Sequence, residues 1–472
     1  MKKLFSLLLA ATMTFSLTLP ALADHYTYSE PEKSTMMPRS TPETHGMSSQ
    51  YILDLLDAFD YADAEVHNIL MAIDGEVVFE GHYAPYTALD PHIMFSGTKI
   101  FTNAAVGVAV TEGYLHLDDY VYDVLKDYVT QDVSELQSKV QLKHLLTMTS
   151  GVDRFMSGSE LRPLTTSWIE HILTEPIVHE PGTYYLYSSG NTMLSSAMVT
   201  VATGKTCLDL LNTTGFCEEL GIKNFTWDMS PDGFNAGHGG IKITAEDLAK
   251  VGQLYMNGGV WNGKQILSKE WCDLAIGYEK TVENQGTYAY HWTSYEDGLY
   301  YTATGSYGQT LAICPKLNMV IAIQAGTKQN IGELLYQNIF KPYGDALDAG
   351  TVPEPDDALS AALAKRAENL NLMFTTDFTA SPIGELVDDV TFTAAENQYG
   401  ITTLSLDVHD DYIDYTMTDA RGTHTIRNGI WQWLKGETSM TSNYTHHQYQ
   451  YPTEPVYACL LYTSDAADDL IG

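Results

Sequence analysis

Basic residues are scarce: Lys and Arg total 25 against 60 Asp and Glu in 472 residues, a net charge of −35 at pH 7. So acidic a chain repels phosphate backbones and anionic lipid surfaces, which argues against nucleic acid as a partner. Cysteine is scarcer still, with five, none in a Cys-x-x-Cys pair, so neither structural zinc nor a disulfide scaffold has support. An exported chain permits a Cys207 to Cys217 bridge, but spacing alone does not demand one. His92, His144, His179, His238, His291 and the pair His446-His447 lack ligand spacing, so no metal is expected. Also missing are a Gly-x-Ser-x-Gly elbow, a glycine-rich phosphate loop and a solenoid repeat. No cofactor is expected.

Apolar side chains are plentiful, at 44% of the chain with 31 Tyr and 7 Trp, enough to pack two or three domains. The N-terminus runs Met1, Lys2, Lys3, an apolar stretch from Leu4 to Leu19, Pro20, then Ala21-Leu22-Ala23 before Asp24. That is the pattern of a bacterial-type signal peptide over 1–23, which predicts a secreted or extracytoplasmic protein. No later stretch approaches ~18 uninterrupted apolar residues, so no membrane span is expected in the mature chain. At the other end, Cys459-Leu460-Leu461-Tyr462-Thr463-Ser464-Asp465 resembles a translated sequencing adapter, and residues 459–472 are read as a non-native scar.

Between these ends the pattern predicts an α+β catalytic domain over 24–344. A helix is expected near Ser49 to Tyr61. Two alternating runs, Asn68 to Ile73 and Glu76 to Glu80, meet at Asp74-Gly75, a two-residue hairpin signal. Ala104, Ala105, Val108 and Ala109 have helical spacing. A mostly helical, loop-rich middle follows to about Asn224, and Thr244 to Gly258 carries the capping chemistry of a further helix. Strands return at Tyr300 to Thr304, Gln309 to Cys314 and Met319 to Gln324, so first and last strands should pair. A linker and helix are predicted over 345–373. A small β domain is predicted over 374–458, with strands at Leu404, Tyr412 to Met417, Thr423 to Ile426 and Ile430 to Leu434 divided by glycines.

The chemistry is carried by Ser96-Gly97-Thr98-Lys99 at the start of a helix. A Ser three residues ahead of a Lys shares its helix face, and the helix N-terminus adds about half a positive charge, which works against a proton on the amine. A neutral amine can take the hydroxyl proton and free the oxygen to attack a carbonyl carbon. Alone, the spacing is common. Three further segments accompany it: Lys143 to Gly151, Tyr187-Ser188-Ser189 within Pro181 to Asn191, and Gly239 to Leu248. Together, from about Thr41 to Asn338, they resemble the serine β-lactamase-like hydrolases, which include class C β-lactamases, DD-peptidases, esterases and 6-aminohexanoate-dimer hydrolases.

The resemblance implies a β-lactamase/DD-peptidase-like antiparallel sheet flanked by helices with a mostly helical subdomain, plus the small C-terminal β domain. It implies Ser96 as nucleophile, Lys99 as base and Tyr187 as the phenol that protonates the leaving group. The backbone N–H groups of Ser96 and Ser306 would form the oxyanion hole, and Ser189, Asn191, Thr304 and Gly305 would bind substrate. Ser189 stands where β-lactamases carry Asn. The cation of the family's third motif is absent from Ala303-Thr304-Gly305, which weakens the grip on a substrate carboxylate. The expectation is therefore a secreted serine hydrolase acting on an ester or amide of modest size, with a DD-peptidase or β-lactamase, or a non-catalytic binding protein, as alternatives. Nothing in the sequence specifies an oligomeric state.

Overall fold

The computed structural model describes residues 33–277, 282–351, 353–372, 384–397, 399–440 and 453–460. The expected leader at 1–23, His446-His447, and residues 461–472 of the expected scar lie outside the described residues.

The first sheet has seven strands: β1 Val66–Ile73, β2 Glu76–His82, β3 Tyr288–Ala289, β4 Trp292–Tyr295, β5 Tyr300–Gly305, β6 Gln309–Cys314 and β7 Met319–Ala325. Their order is β2-β1-β7-β6-β5-β4-β3. The early hairpin is thus closed by the last strand, with Ile69 opposite Ile323 and Met71 opposite Ile321, as the first-and-last pairing predicts. Every residue of β1 is buried, because both faces of the sheet are covered and alternate side chains serve different cores. Leu70 and Ala72 join the core shared with α2 (Lys99–Thr111), α3 (Ser189–Thr203) and α4 (Ala245–Met256). Ile69, Met71 and Ile73 join the core under α1 (Ser49–Tyr61) and α5 (Asp357–Glu368).

Helix α2 is buried without a break from Lys99 to Ala109, since small and apolar residues occupy all its sides. A Cβ at Gly107 would stand 2.4 Å from the indole of Trp271, so the helix packs at backbone distance. Helix α4 begins as its sequence requires, the Thr244 side chain accepting from Asp247 N. All five cysteines are free; Cys207 is buried with Sγ 3.3 Å from Ser196 Oγ.

Two expectations are corrected. Helix α5 stops at Glu368, not Met373, because Asn369 caps it, Leu370 enters the core and Asn371 bridges to Ala84. The two strands expected on either side of Gly429 are one up to Ile430. Among the described residues the C-terminal sheet comprises β8 Thr391–Thr393, β9 Thr403–Val408, β10 Tyr412–Asp419, β11 Gly422–Ile430, β12 Leu434–Thr438 and β13 Glu454–Leu460. Gly429 lies within β11 because a Cβ there would meet Gln432 O at 2.2 Å, where the chain doubles back. Cys459 and Leu460 complete β13, opposite Gly429 and Ile430. This sheet docks on the first domain through Asp90, which takes Lys435 Nζ at 2.8 Å and the Tyr457 hydroxyl at 2.8 Å. No helix among the described residues is long and apolar enough to cross a membrane.

Candidate active site

The short strand His92–Ile93 leads into a 3-10 turn, Phe95–Thr98, that runs straight into α2. Phe95 takes φ of +45°, a left-handed conformation that an aromatic residue adopts only under constraint. The constraint is visible on both sides. Met94 N donates to Ile241 O at 2.9 Å, Gly97 N to Met94 O at 2.8 Å, and Ile241 N to Thr98 Oγ1 at 3.2 Å. The turn presents Ser96, and the first residue of α2 presents Lys99.

Lys99 Nζ lies 3.0 Å from Ser96 Oγ and 3.0 Å from the carbonyl oxygen of His238. Its side chain is 2% exposed. The Tyr187 ring centroid is 5.0 Å from the same nitrogen, held between Phe155 at 6.1 Å and Tyr288 at 5.4 Å. Two residues earlier, Tyr185 is clamped by Asn284, whose Oδ1 accepts from Tyr185 N and whose Nδ2 donates to Tyr185 O.

Strand β5 forms the opposite wall. A Cβ on Gly305 would lie 2.1 Å from Met94 O, so only a residue without a side chain lets β5 approach the turn that carries Ser96. Its backbone, at φ −126°, is ordinary extended chain; the requirement is for space. Ser306 follows at the strand's end. Together these elements enclose an open cleft of about 460 Å³.

Six of the residues expected at the site, Ser96, Lys99, Tyr187, Thr304, Gly305 and Ser306, line this cleft. Ser189 and Asn191 do not line it. They are 4% and 3% exposed in the first turn of α3, where Ser189 N donates to Met156 O and Asn191 Nδ2 to Met148 Sδ at 3.4 Å. His238 reaches Lys99 with its carbonyl; its ring packs on Trp168 at 5.8 Å. Burial, with the charges of Arg162 and Lys99, holds that imidazole well below its ordinary pKa.

Sequence reasoning missed Tyr185, Tyr288, His291, Thr287, Thr293 and Thr302 in the lining. Thr302 was recoverable, since it shares a strand face with Thr304. Burial and neighbouring tyrosines push the Tyr288 phenol well above its usual pKa. Lys99 is thus the one amine, and no guanidinium or carboxylate joins it among the lining residues. Described side chains close enough to share a cation, such as Asp407, His409 and Asp414, lie on the C-terminal sheet, away from the cleft.

A family model described as Beta-lactamase matches residues 68–339. Over 274 residues, 52% of this chain and 69% of the other, the sequence is 24% identical to a 6-aminohexanoate-dimer hydrolase of Paenarthrobacter ureafaciens. A solved structure from Bacillus anthracis, provisionally named a 6-aminohexanoate-dimer hydrolase, matches with TM-score 0.56 and 21% identity over 69% of this chain and 91% of that one. FmtA from Staphylococcus aureus matches with TM-score 0.52 and 14% identity over 69% and 94%. These two structural likenesses are likenesses of fold.

Proposed function

The chain belongs to the beta-lactamase family and is a serine hydrolase, and from that premise we propose that Ser96, Lys99 and Tyr187 carry out its chemistry through an acyl-enzyme. Ser96 Oγ attacks the carbonyl carbon of an ester or amide as Lys99 Nζ takes the hydroxyl proton. The tetrahedral oxyanion is met by the N–H groups of Ser96 and Ser306, a contact worth roughly 3–4 kcal/mol of barrier per donor in such sites. Tyr187 protonates the departing oxygen or nitrogen, and water then cleaves the acyl-enzyme. The observation that carries this reading is the 3.0 Å contact between Lys99 Nζ and Ser96 Oγ in a cleft open to solvent.

The lining supports an ester or amide of modest size rather than a carboxylate-bearing peptide or β-lactam. At Ala303 a methyl group packed into the core, 3% exposed, stands where carboxylate-binding members of the family place a cation. The N-terminal signal pattern supports action outside the cytoplasm. Ser96→Ala is expected to abolish both turnover of p-nitrophenyl esters and covalent labelling by a fluorophosphonate probe. Labelling that persists in this variant contradicts the assignment.

A further inference from the structure

The turn that joins β3 to β4 is built from unexpected residues. Tyr288 pairs with Thr293 and Ala289 with Trp292, leaving Tyr290 and His291 as a two-residue loop with φ of +49° and +69°. Successive left-handed residues make the tight hairpin geometry that Asn-Gly or Gly-Gly adopts freely, and larger side chains hold it only where their surroundings dictate it. Here the surroundings do. Tyr290 N donates to Leu146 O at 2.9 Å, and Asn103 Nδ2 donates to Tyr290 O at 3.0 Å. Asn103 is itself fixed by the Tyr255 hydroxyl at 2.6 Å and by Trp271 Nε1 at 3.0 Å. It stands one helical turn beyond Lys99 on α2, so the helix that positions the amine also bends this hairpin.

The bend delivers His291 to the floor of the Ser96 cleft. There it is 3% exposed; the ring approaches the Lys99 backbone, but neither ring nitrogen makes a well-formed hydrogen bond. Burial and the nearby Lys99 charge hold its pKa down at about 3, so near neutral pH the ring offers one donor and one acceptor. Two further groups share its situation. Thr302 is 1% exposed, and its hydroxyl and that of Tyr288 are buried without a partner. All three residues line the same cleft. Folded proteins leave few buried polar groups unpaired, because each forfeits the hydrogen bonds it had in water; three on one floor point to a ligand, and none of them favours a charge.

We propose that His291, Tyr288 and Thr302 form a recognition floor for an uncharged group that both donates and accepts hydrogen bonds, a hydroxyl or carboxamide on the acyl part of the substrate. The inference deepens the acyl-enzyme reading above and rests on it. The acyl part is assigned because His291 lies on the buried side beside Lys99, whereas the leaving group must depart through the open mouth. Water has the same hydrogen-bonding chemistry, and the experiment separates the two sources.

The test measures kcat/KM for p-nitrophenyl butyrate, 3-hydroxybutyrate and N-acetylglycinate with the parent protein and with Tyr288→Phe, Thr302→Val and His291→Gly. Phe and Val keep shape and remove one hydroxyl each, and Gly relieves the strained backbone, so loss of folding is not the expected outcome. The parent is expected to prefer at least one polar ester by tenfold or more, and each variant to lose about tenfold of that preference. Should water be the source, the variants slow all three esters alike and accumulate acyl-enzyme in intact-mass spectra, which keeps the floor and gives it the water that cleaves the intermediate. No preference in the parent together with unchanged variants overturns the floor. Fluorophosphonate labelling of Ser96 in the same preparations separates the failures. Labelled protein with unchanged variants sinks the floor alone, and unlabelled protein sinks the acyl-enzyme mechanism along with it.

Discussion

The first sheet ends in two hairpins, β1–β2 at one edge and β3–β4 at the other, and both turn in two residues with positive φ. At Asp74-Gly75 the angles are +53° and +81°; at Tyr290-His291 they are +49° and +69°. The first turn is one that its own residues favour: Asp-Gly takes this geometry without strain, and nothing lies within 4 Å of where a Cβ on Gly75 would stand, although Asn318 and His45 also hold Asp74. The second is made by its neighbours, through Asn103 and Leu146. Two other left-handed non-glycine residues, Phe95 and Tyr307, adjoin the cleft residues Ser96 and Ser306 in the chain, with rings 5.4 Å apart. At Tyr290-His291 the cleft overrides local rules, and a functional site is where a fold is expected to hold strain.

The largest effect that sharpens this contrast is expected from Lys99→Met. Without an amine beside Ser96, turnover of p-nitrophenyl esters should fall at least ~10³-fold, while the melting temperature moves by only a few degrees because a long apolar chain fills the same buried space. A large loss of stability with retained activity would instead make Lys99 structural. Next is Gly305→Ala. The added methyl meets Met94 O and pushes β5 away from Ser96, so kcat/KM should drop about 10²-fold with the fold intact by circular dichroism; unchanged kinetics would mean that the approach of strand to turn is not what aligns the site.

The smallest effects break the comparison most cleanly. Gly75→Ala should lower stability by about 1 kcal/mol, the penalty of a left-handed alanine, without changing activity. His291→Gly should be about 1 kcal/mol more stable than His291→Ala, which empties nearly the same buried space but keeps the strained backbone. Denaturant midpoints read both, and a His291→Ala protein as stable as His291→Gly would show that the turn is not strained.

Much of this molecule was legible before its coordinates. The Asp74-Gly75 hairpin, the Thr244 cap and the pairing of first and last strands rest on local signals that tertiary packing did not overrule. So does the Ser96 to Lys99 spacing, which one turn of chain brings into contact. The rest depended on contacts that no short window contains. Tyr290-His291 carries no turn signal because Asn103, 187 residues away in sequence, makes the turn. Gly429 reads as a breaker, yet it serves a close approach within β11. Asn191 lies near Tyr187 in sequence, but the start of α3 turns its side chain to Met148.

The central claim, that Ser96 carries the acyl group during turnover, is open to one direct measurement. Protein quenched with acid in the first turnovers of p-nitrophenyl butyrate, then digested and analysed by mass spectrometry, should carry a butyryl group on the peptide containing Ser96, and Ser96→Ala protein should carry none. Acylation at another residue, or rapid product release with no acylated peptide, would contradict it.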